Sequence, residues 1–121
     1  VVLIGSLAII TTIKELLWPI DRDVSHLDRT VSAARAFLEW ARENQPEDVT
    51  MAQAELGIAL QVLGEYQISR DVEQGGITLT DAQNVISEAL KGFEETHARA
   101  EVTRMHEHLF QINAMIKKAD R

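Results

Sequence analysis

Apolar residues recur at intervals of three and four along most of this sequence, a spacing that predicts long amphipathic helices. One such stripe consists of Leu27, Val31, Ala34, Leu38 and Ala41. Three further stripes follow, at Ala52, Leu56, Ala59 and Leu63, at Ala82, Ile86, Ala89, Leu90 and Phe93, and at Val102, Met105, Leu109, Ile112 and Ile116. An uncharged run at residues 1–13 predicts one more helix, which continues to about Trp18. The pattern therefore predicts an all-α protein of five helices.

Proline, glycine and capping residues predict the boundaries of these helices. Pro19 ends the first helix, and Pro46 suits the first turn of the third. The pair Gly75-Gly76 marks the one clear loop of the sequence. Ser25-His26-Leu27-Asp28 and Thr78-Leu79-Thr80-Asp81 both have the form of a capping box, in which a hydroxyl and a carboxylate satisfy free backbone N–H groups. The second helix is thus predicted to begin after Ser25 and the fourth after Thr78.

An internal repeat relates the second helix to the fourth and the third helix to the fifth. Asp28 and Asp81 are 53 positions apart, and so are Trp40 and Phe93. Self-similarity at such a period predicts a unit of two helices, which cannot bury its apolar face alone and stacks on its neighbour.

The segment Leu56–Glu65, with the sequence Leu-Gly-Ile-Ala-Leu-Gln-Val-Leu-Gly-Glu, resembles the first-helix signature of a long-period tetratricopeptide repeat. This resemblance covers residues from about 25 to 116 and implies antiparallel helical hairpins. Within such a hairpin, Gly57 would let the paired helix come close to its backbone, and Leu56, Leu60 and Leu63 would fill the seam. The resemblance also implies that Trp40 and Phe93 are large core residues.

Tetratricopeptide arrays bind a peptide or a partner helix on a concave surface lined by their first helices. The resemblance therefore implies a partner-binding surface at Ala54, Ile58, Gln61 and Val62. The alternative is that Ile58 and Val62 simply pack on a neighbouring helix.

We expect residues 21–121 to form the helical repeat domain. Residues 1–20 differ from this domain because they begin with an uncharged apolar run. A membrane span needs about 20 apolar residues, so the shorter run at residues 1–13 would be the end of a longer span. Lys14 and Trp18 suit the boundary between membrane and water. We therefore expect a single-pass membrane anchor. The side of the membrane on which the helical domain lies does not follow from the sequence, because Lys14 alone flanks the apolar run. The alternative is an interior helix of a longer repeat array, with Leu3, Leu7 and Ile10 in the seam.

Composition and charge narrow the function. The net charge is −7, and the basic residues do not form the positively charged stripe that nucleic-acid binding requires. Cysteine is absent, and the closest histidines, His106 and His108, are two positions apart and so point in different directions on a helix. No phosphate loop, catalytic constellation, metal site or small-molecule cofactor site is evident.

We therefore expect a non-catalytic scaffold or accessory subunit that binds other proteins and is tethered to a membrane through residues 1–18. The alternative is a soluble tetratricopeptide-like module from a longer array, which binds a peptide or helix of a partner. A regulatory domain associated with an enzyme is a third possibility, and a fused catalytic region would identify it.

Overall fold

The computed structural model describes residues 24–120, in which four helices follow one another through short connections. They are α1 (Val24–Asn44), α2 (Val49–Ile68), α3 (Val72–Glu95) and α4 (Arg99–Ala119). A 3₁₀ turn, Pro46–Asp48, joins α1 to α2. No strand occurs in this part of the chain, so the all-α class is confirmed. The helix predicted at residues 1–18 lies outside the described residues.

The central helix is α2, which α1, α3 and α4 all contact. Every residue from Ala54 to Gly64 on this helix is buried. An amphipathic surface helix would bury only one stripe, so burial on all sides reflects the several neighbours that α2 has. The apolar stripes predicted for α1 and α2 are buried, and in α3 and α4 the predicted positions are buried or packed against the same core.

The α2–α3 hairpin is closely packed because glycines let the helix axes approach each other. A Cβ atom at Gly57 would clash with the side chain of Ile86. Seven positions further along α2, a Cβ atom at Gly64 would lie 2.7 Å from Cγ of Leu79. Ile86 and Leu79 are also seven positions apart, which fits two antiparallel helices in constant register. The close approach predicted at Gly57 is confirmed.

The loop predicted at Gly75-Gly76 is wrong, because both glycines lie inside α3. The connection between α2 and α3 is instead formed by residues 69–71. Asp71 is the N-cap, and its side chain accepts a hydrogen bond from the backbone N–H of Gln74 at 3.1 Å. Gly75 is required by packing rather than by a turn, since a Cβ atom there would lie 2.6 Å from Cα of Ile68.

Neither Ser25 nor Thr78 is the N-cap residue of a described helix. Thr78 is buried inside α3, where its hydroxyl shares its one proton between Oε1 of Gln67 at 2.5 Å and the backbone oxygen of Gln74 at 3.1 Å. Ser25 is the second residue of α1 rather than the residue before it. A Ser/Thr-x-x-acid sequence also occurs within helices, where the hydroxyl can bond back to a carbonyl one turn earlier, as that of Thr78 does.

The 53-residue register does not describe burial in α1 and α3, although in α2 and α4 it relates positions of the core such as Leu56 and Leu109. Trp40 is 44% exposed and stacks on Phe37, with ring centroids 5.9 Å apart, whereas Phe93 is buried. Trp40 is therefore not the core residue that the resemblance implies. The buried stripe of α1 instead matches that of α3 at an offset of 48 positions, as for Val31 and Leu79. Between α1 and α3, buried positions thus repeat at 48 residues and matching residue types at 53. The difference between these two offsets is about one and a half helical turns.

The connection between α3 and α4 contains no glycine or proline. His97 adopts the left-handed conformation there, with φ of 58°. The backbone N–H groups of His97 and Ala98 donate to the carbonyls of Glu94 and Phe93 at 3.1 and 2.9 Å. This pair of bonds is a Schellman motif, which explains how the helix ends without a breaker in the sequence.

We predict opposite effects for alanine at the two adjacent glycines of α3. Gly75→Ala should lower the free energy of unfolding by about 1–3 kcal/mol, because its Cβ would meet the backbone of Ile68. Gly76→Ala should raise it by about 0.5–1 kcal/mol, because alanine favours the helix and nothing lies within 4 Å of the new Cβ atom. Urea denaturation measures both values. Equal effects of the two substitutions would contradict the helical placement of this pair.

Candidate protein-binding surface

The helix α4 uses one face to pack on the core and exposes the other. Met105 and Ile112 are buried on the packed face. Phe110 follows Met105 by five positions, which places it about 140° away around the helix axis. Its side chain is 76% exposed, the largest exposed fraction among the large apolar side chains of the described residues. The outer face of α4 therefore presents an aromatic ring to solvent.

Phe110 stands between two shallow depressions. The first, of about 370 Å³, is lined by α4 alone, with Thr103, His106 and Glu107 beside Phe110 and Gln111. The second, of about 390 Å³, lies between α2 and α4. Its lining residues are Gln61, Glu65, Phe110, Gln111, Ala114 and Met115. We refer to Thr103, His106, Glu107, Phe110, Gln111 and Ala114 as the Phe110 surface.

A polar contact between α2 and α4 forms one wall of the second depression. Nε2 of the buried Gln61 donates to Oε1 of Gln111 at 2.8 Å. Nδ1 of His108 lies 2.7 Å from Oε1 of Gln61, a contact in which the imidazole N–H donates to the amide oxygen. Buried amides need such partners, and this contact helps to hold α4, which packs mainly on α3, against α2.

The structure brings only one of the predicted partner-binding residues to this surface. Gln61 lines the depression between α2 and α4. Ala54, Ile58 and Val62 are buried in the hydrophobic core, because α2 has neighbours on several sides. Their burial favours the packing alternative for Ile58 and Val62. A direct role of these side chains in binding stays a prediction.

The predicted membrane-boundary residues, Lys14 and Trp18, lie outside the described residues. None of the four helices between residues 24 and 120 is long and apolar enough to cross a membrane. Within the same part of the chain, no three histidine, aspartate or glutamate side chains are placed to hold a metal ion.

Sequence reasoning missed the Phe110 surface, although a signal for it exists. Phe110 lies outside the apolar stripe that runs from Val102 to Ile116, between polar residues on either side of it in the helical wheel. An aromatic residue outside the stripe of an amphipathic helix has no core position to occupy. Such a residue is a candidate for contact with another molecule.

Glu55 is an ionisable group in the interior of α2. Its side chain is 1% exposed, and its Oε1 has no hydrogen-bond partner among the described residues. Burial raises the pKa of this carboxyl from 4.5 to about 7, because a charged carboxylate loses its hydration in the core. Perturbed carboxyls can take part in acid–base catalysis, but Glu55 lines none of the depressions described here.

Comparison with known protein families, curated proteins and solved structures found no match to this chain. The function must therefore be argued from the surface itself.

The raised pKa of Glu55 predicts a pH-dependent stability. The folded state retains the proton between pH 4.5 and about 7, so the stabilisation is complete below pH 4.5 and is lost as the pH rises through 7. Glu55→Gln should resemble the wild type at low pH and exceed its stability at pH 8, by at most about 3 kcal/mol.

Urea denaturation at several pH values between 4.5 and 8 measures this effect. Glu65→Gln serves as the matched control, since Glu65 lies on the same helix and is only half-buried. A wild type and a Glu55→Gln variant with parallel pH profiles would show that the Glu55 carboxyl is not desolvated.

Proposed function

We propose that this protein is a non-catalytic helical scaffold that binds another protein through the Phe110 surface. The observation that supports this function is the 76% exposure of Phe110 on the outer face of α4. Exposed aromatic rings with polar surroundings are typical of the residues that contribute most to protein–protein binding energy. The two depressions beside Phe110 would accept side chains of the partner.

We also propose that the helices form a tetratricopeptide-like stack. Two observations support this type of fold. Arg35 on α1 forms an ion pair with Asp81 on α3 at 2.9 Å, and Gln61 on α2 bonds to Gln111 on α4. Side chains of alternate helices therefore reach each other, as expected when helical hairpins stack side by side. The Phe110 surface lies on the exposed face of α4.

We further propose that residues 1–18 tether the scaffold to a membrane. The support comes from the sequence alone, since the first 13 residues carry no charge and Lys14 and Trp18 follow them. The alternative is a soluble module from a longer repeat array, in which residues 1–18 would pack between repeats.

We predict that Phe110→Ala abolishes partner binding without loss of stability. Since this side chain is largely exposed, its removal should change the free energy of unfolding by less than about 0.5 kcal/mol. The measurement is affinity capture with the full chain in extracts of the organism that encodes it, quantified by mass spectrometry. Proteins retained by the wild type should be depleted at least about tenfold with the variant, as for an interface hot spot.

Ile77→Ala is the matched control, because Ile77 is also an exposed apolar residue, at 59%, but lies on α3 outside the Phe110 surface. This variant should capture the same proteins as the wild type. Equal capture by the Phe110→Ala variant and the wild type would contradict the proposed binding surface, and so would equal losses in the two variants.

We predict that the protein as made in the organism that encodes it is recovered in the membrane fraction and is released by detergent but not by high salt or carbonate. A variant that carries Asp in place of Ile4 and Ile9 should become soluble, because charged residues are costly in the bilayer core. Recovery of the wild type in the soluble fraction without detergent would contradict the anchor and favour the soluble module.

A further inference from the structure

We infer that the partner segment that binds the Phe110 surface is an acidic amphipathic helix. This inference rests on the proposed function and adds the chemistry of the partner. It is based on the distribution of charge among the four helices and on the shape of the exposed face of α4.

Positive charge in this acidic chain is concentrated on α4. This helix carries four basic residues and two acidic ones, a net charge of +2, whereas the whole chain has −7. Its neighbour α3 has the opposite character, with five acidic residues and one lysine. The basic residues of α4 are Arg99, Arg104, Lys117 and Lys118. On the exposed face of α4, Arg99, Lys117 and Lys118 outnumber Glu107 beside Phe110, so this face attracts a negatively charged partner.

The cations on either side of Phe110 have no acidic partner within the described residues. The ion pair found in this part of the chain joins Arg35 to Asp81, away from α4. Arg99 lies eleven positions before Phe110 and Lys117 seven positions after it. Both therefore lie within about 20° of Phe110 around the helix axis, at about 16 Å and 10 Å along it. An apolar anchor with a cation at each end fits a segment that has acidic residues at both ends of an apolar centre.

The exposed face of α4 has the form of a helix-packing surface. The residues along it, at intervals of three and four, are Arg99, Thr103, His106, Phe110, Ala114 and Lys117. This row forms a straight ridge about 27 Å long. The small side chain of Ala114, one turn after Phe110, leaves room for a side chain of a second helix. A helix laid along this ridge could contact the aromatic ring and both cations at once.

A second copy of this chain, with its α4 packed against α4 of the first copy, fits the surface less well than an acidic helix does. Two helices of net charge +2 would repel each other in such a contact. An anionic membrane would pair with the cations, but binding to a membrane does not require a ridge of this shape on α4. The acidic helix is the occupant that both the charge and the shape favour.

The test uses the immobilised full chain to select from a displayed library of 20-residue helical peptides. Their exposed positions are drawn equally from Glu, Gln and Lys around a constant apolar stripe. Enriched peptides should be acidic, and the affinity of the best one, measured by fluorescence anisotropy, should fall as salt is added. Enrichment of neutral or basic peptides, or no enrichment, would overturn the inference.

Charge reversal then tests the position of the contact. The double variant Arg99→Glu and Lys117→Glu should bind the selected peptide at least about tenfold more weakly. The matched control reverses Arg42 and Lys91, which changes the net charge equally but lies on α1 and α3. Equal losses in the two double variants would show non-specific attraction and overturn the assignment to α4.

Two further measurements distinguish the other occupants. Stronger binding to vesicles of 25% phosphatidylserine than to the acidic peptides would assign the surface to a membrane. A concentration-dependent dimer that Phe110→Ala abolishes would assign it to a second copy. If Phe110-dependent capture of a protein persists in the Arg99→Glu and Lys117→Glu variant, the proposed function stands and the acidic partner is wrong.

Discussion

The close contact between α2 and α3 is the constraint on which the other helices depend. At four positions, a glycine on one of these helices lies against a side chain or the backbone of the other: Gly57, Gly64, Gly75 and Gly92. Glycine is an unfavourable residue inside a helix, costing about 0.5–1 kcal/mol relative to alanine at each position. The sequence accepts this cost because a closer approach lets Leu79 and Ile86 become fully buried. The hairpin then forms a rigid base for α1 and α4.

This packing determines where a partner can bind. Because α2 has neighbours on several sides, its side chains stabilise the fold and offer little surface. Gln61, a polar residue of α2 in the interior, bonds to α4, whereas Oε1 of Glu55 has no partner among the described residues. α4 packs mainly on α3, with its apolar stripe on the core and Phe110 outward. The arrangement of the candidate surface thus depends on the α2–α3 hairpin, to which α4 is joined by core packing and by Gln61.

Apolar periodicity was enough to predict the four described helices and their buried faces, since burial is encoded in residue spacing. The prediction of the α2–α3 boundary was wrong because glycine occurs both in turns and at close contacts between helices, and a linear pattern does not distinguish the two uses. Gly75 belongs to the second kind, through its contact with Ile68. The burial of Ile58 and Val62 could not be read from the linear pattern for a related reason. The exposure of Ile58 or Val62 depends on how many helices surround α2, which is a property of the tertiary structure.

Phe110 and Glu55 both depart from the pattern of their helices, and the departures differ in physical consequence. Glu55 places a carboxyl in the core, where its pKa rises to about 7 and its charge opposes folding near neutral pH. Such a cost acts on stability alone unless a ligand reaches the group. Phe110 places an aromatic ring in water, which costs the folded chain little but leaves apolar area that a partner can bury. Of the two departures, only Phe110 offers free energy to a binding event, which is why we propose α4 as the binding helix.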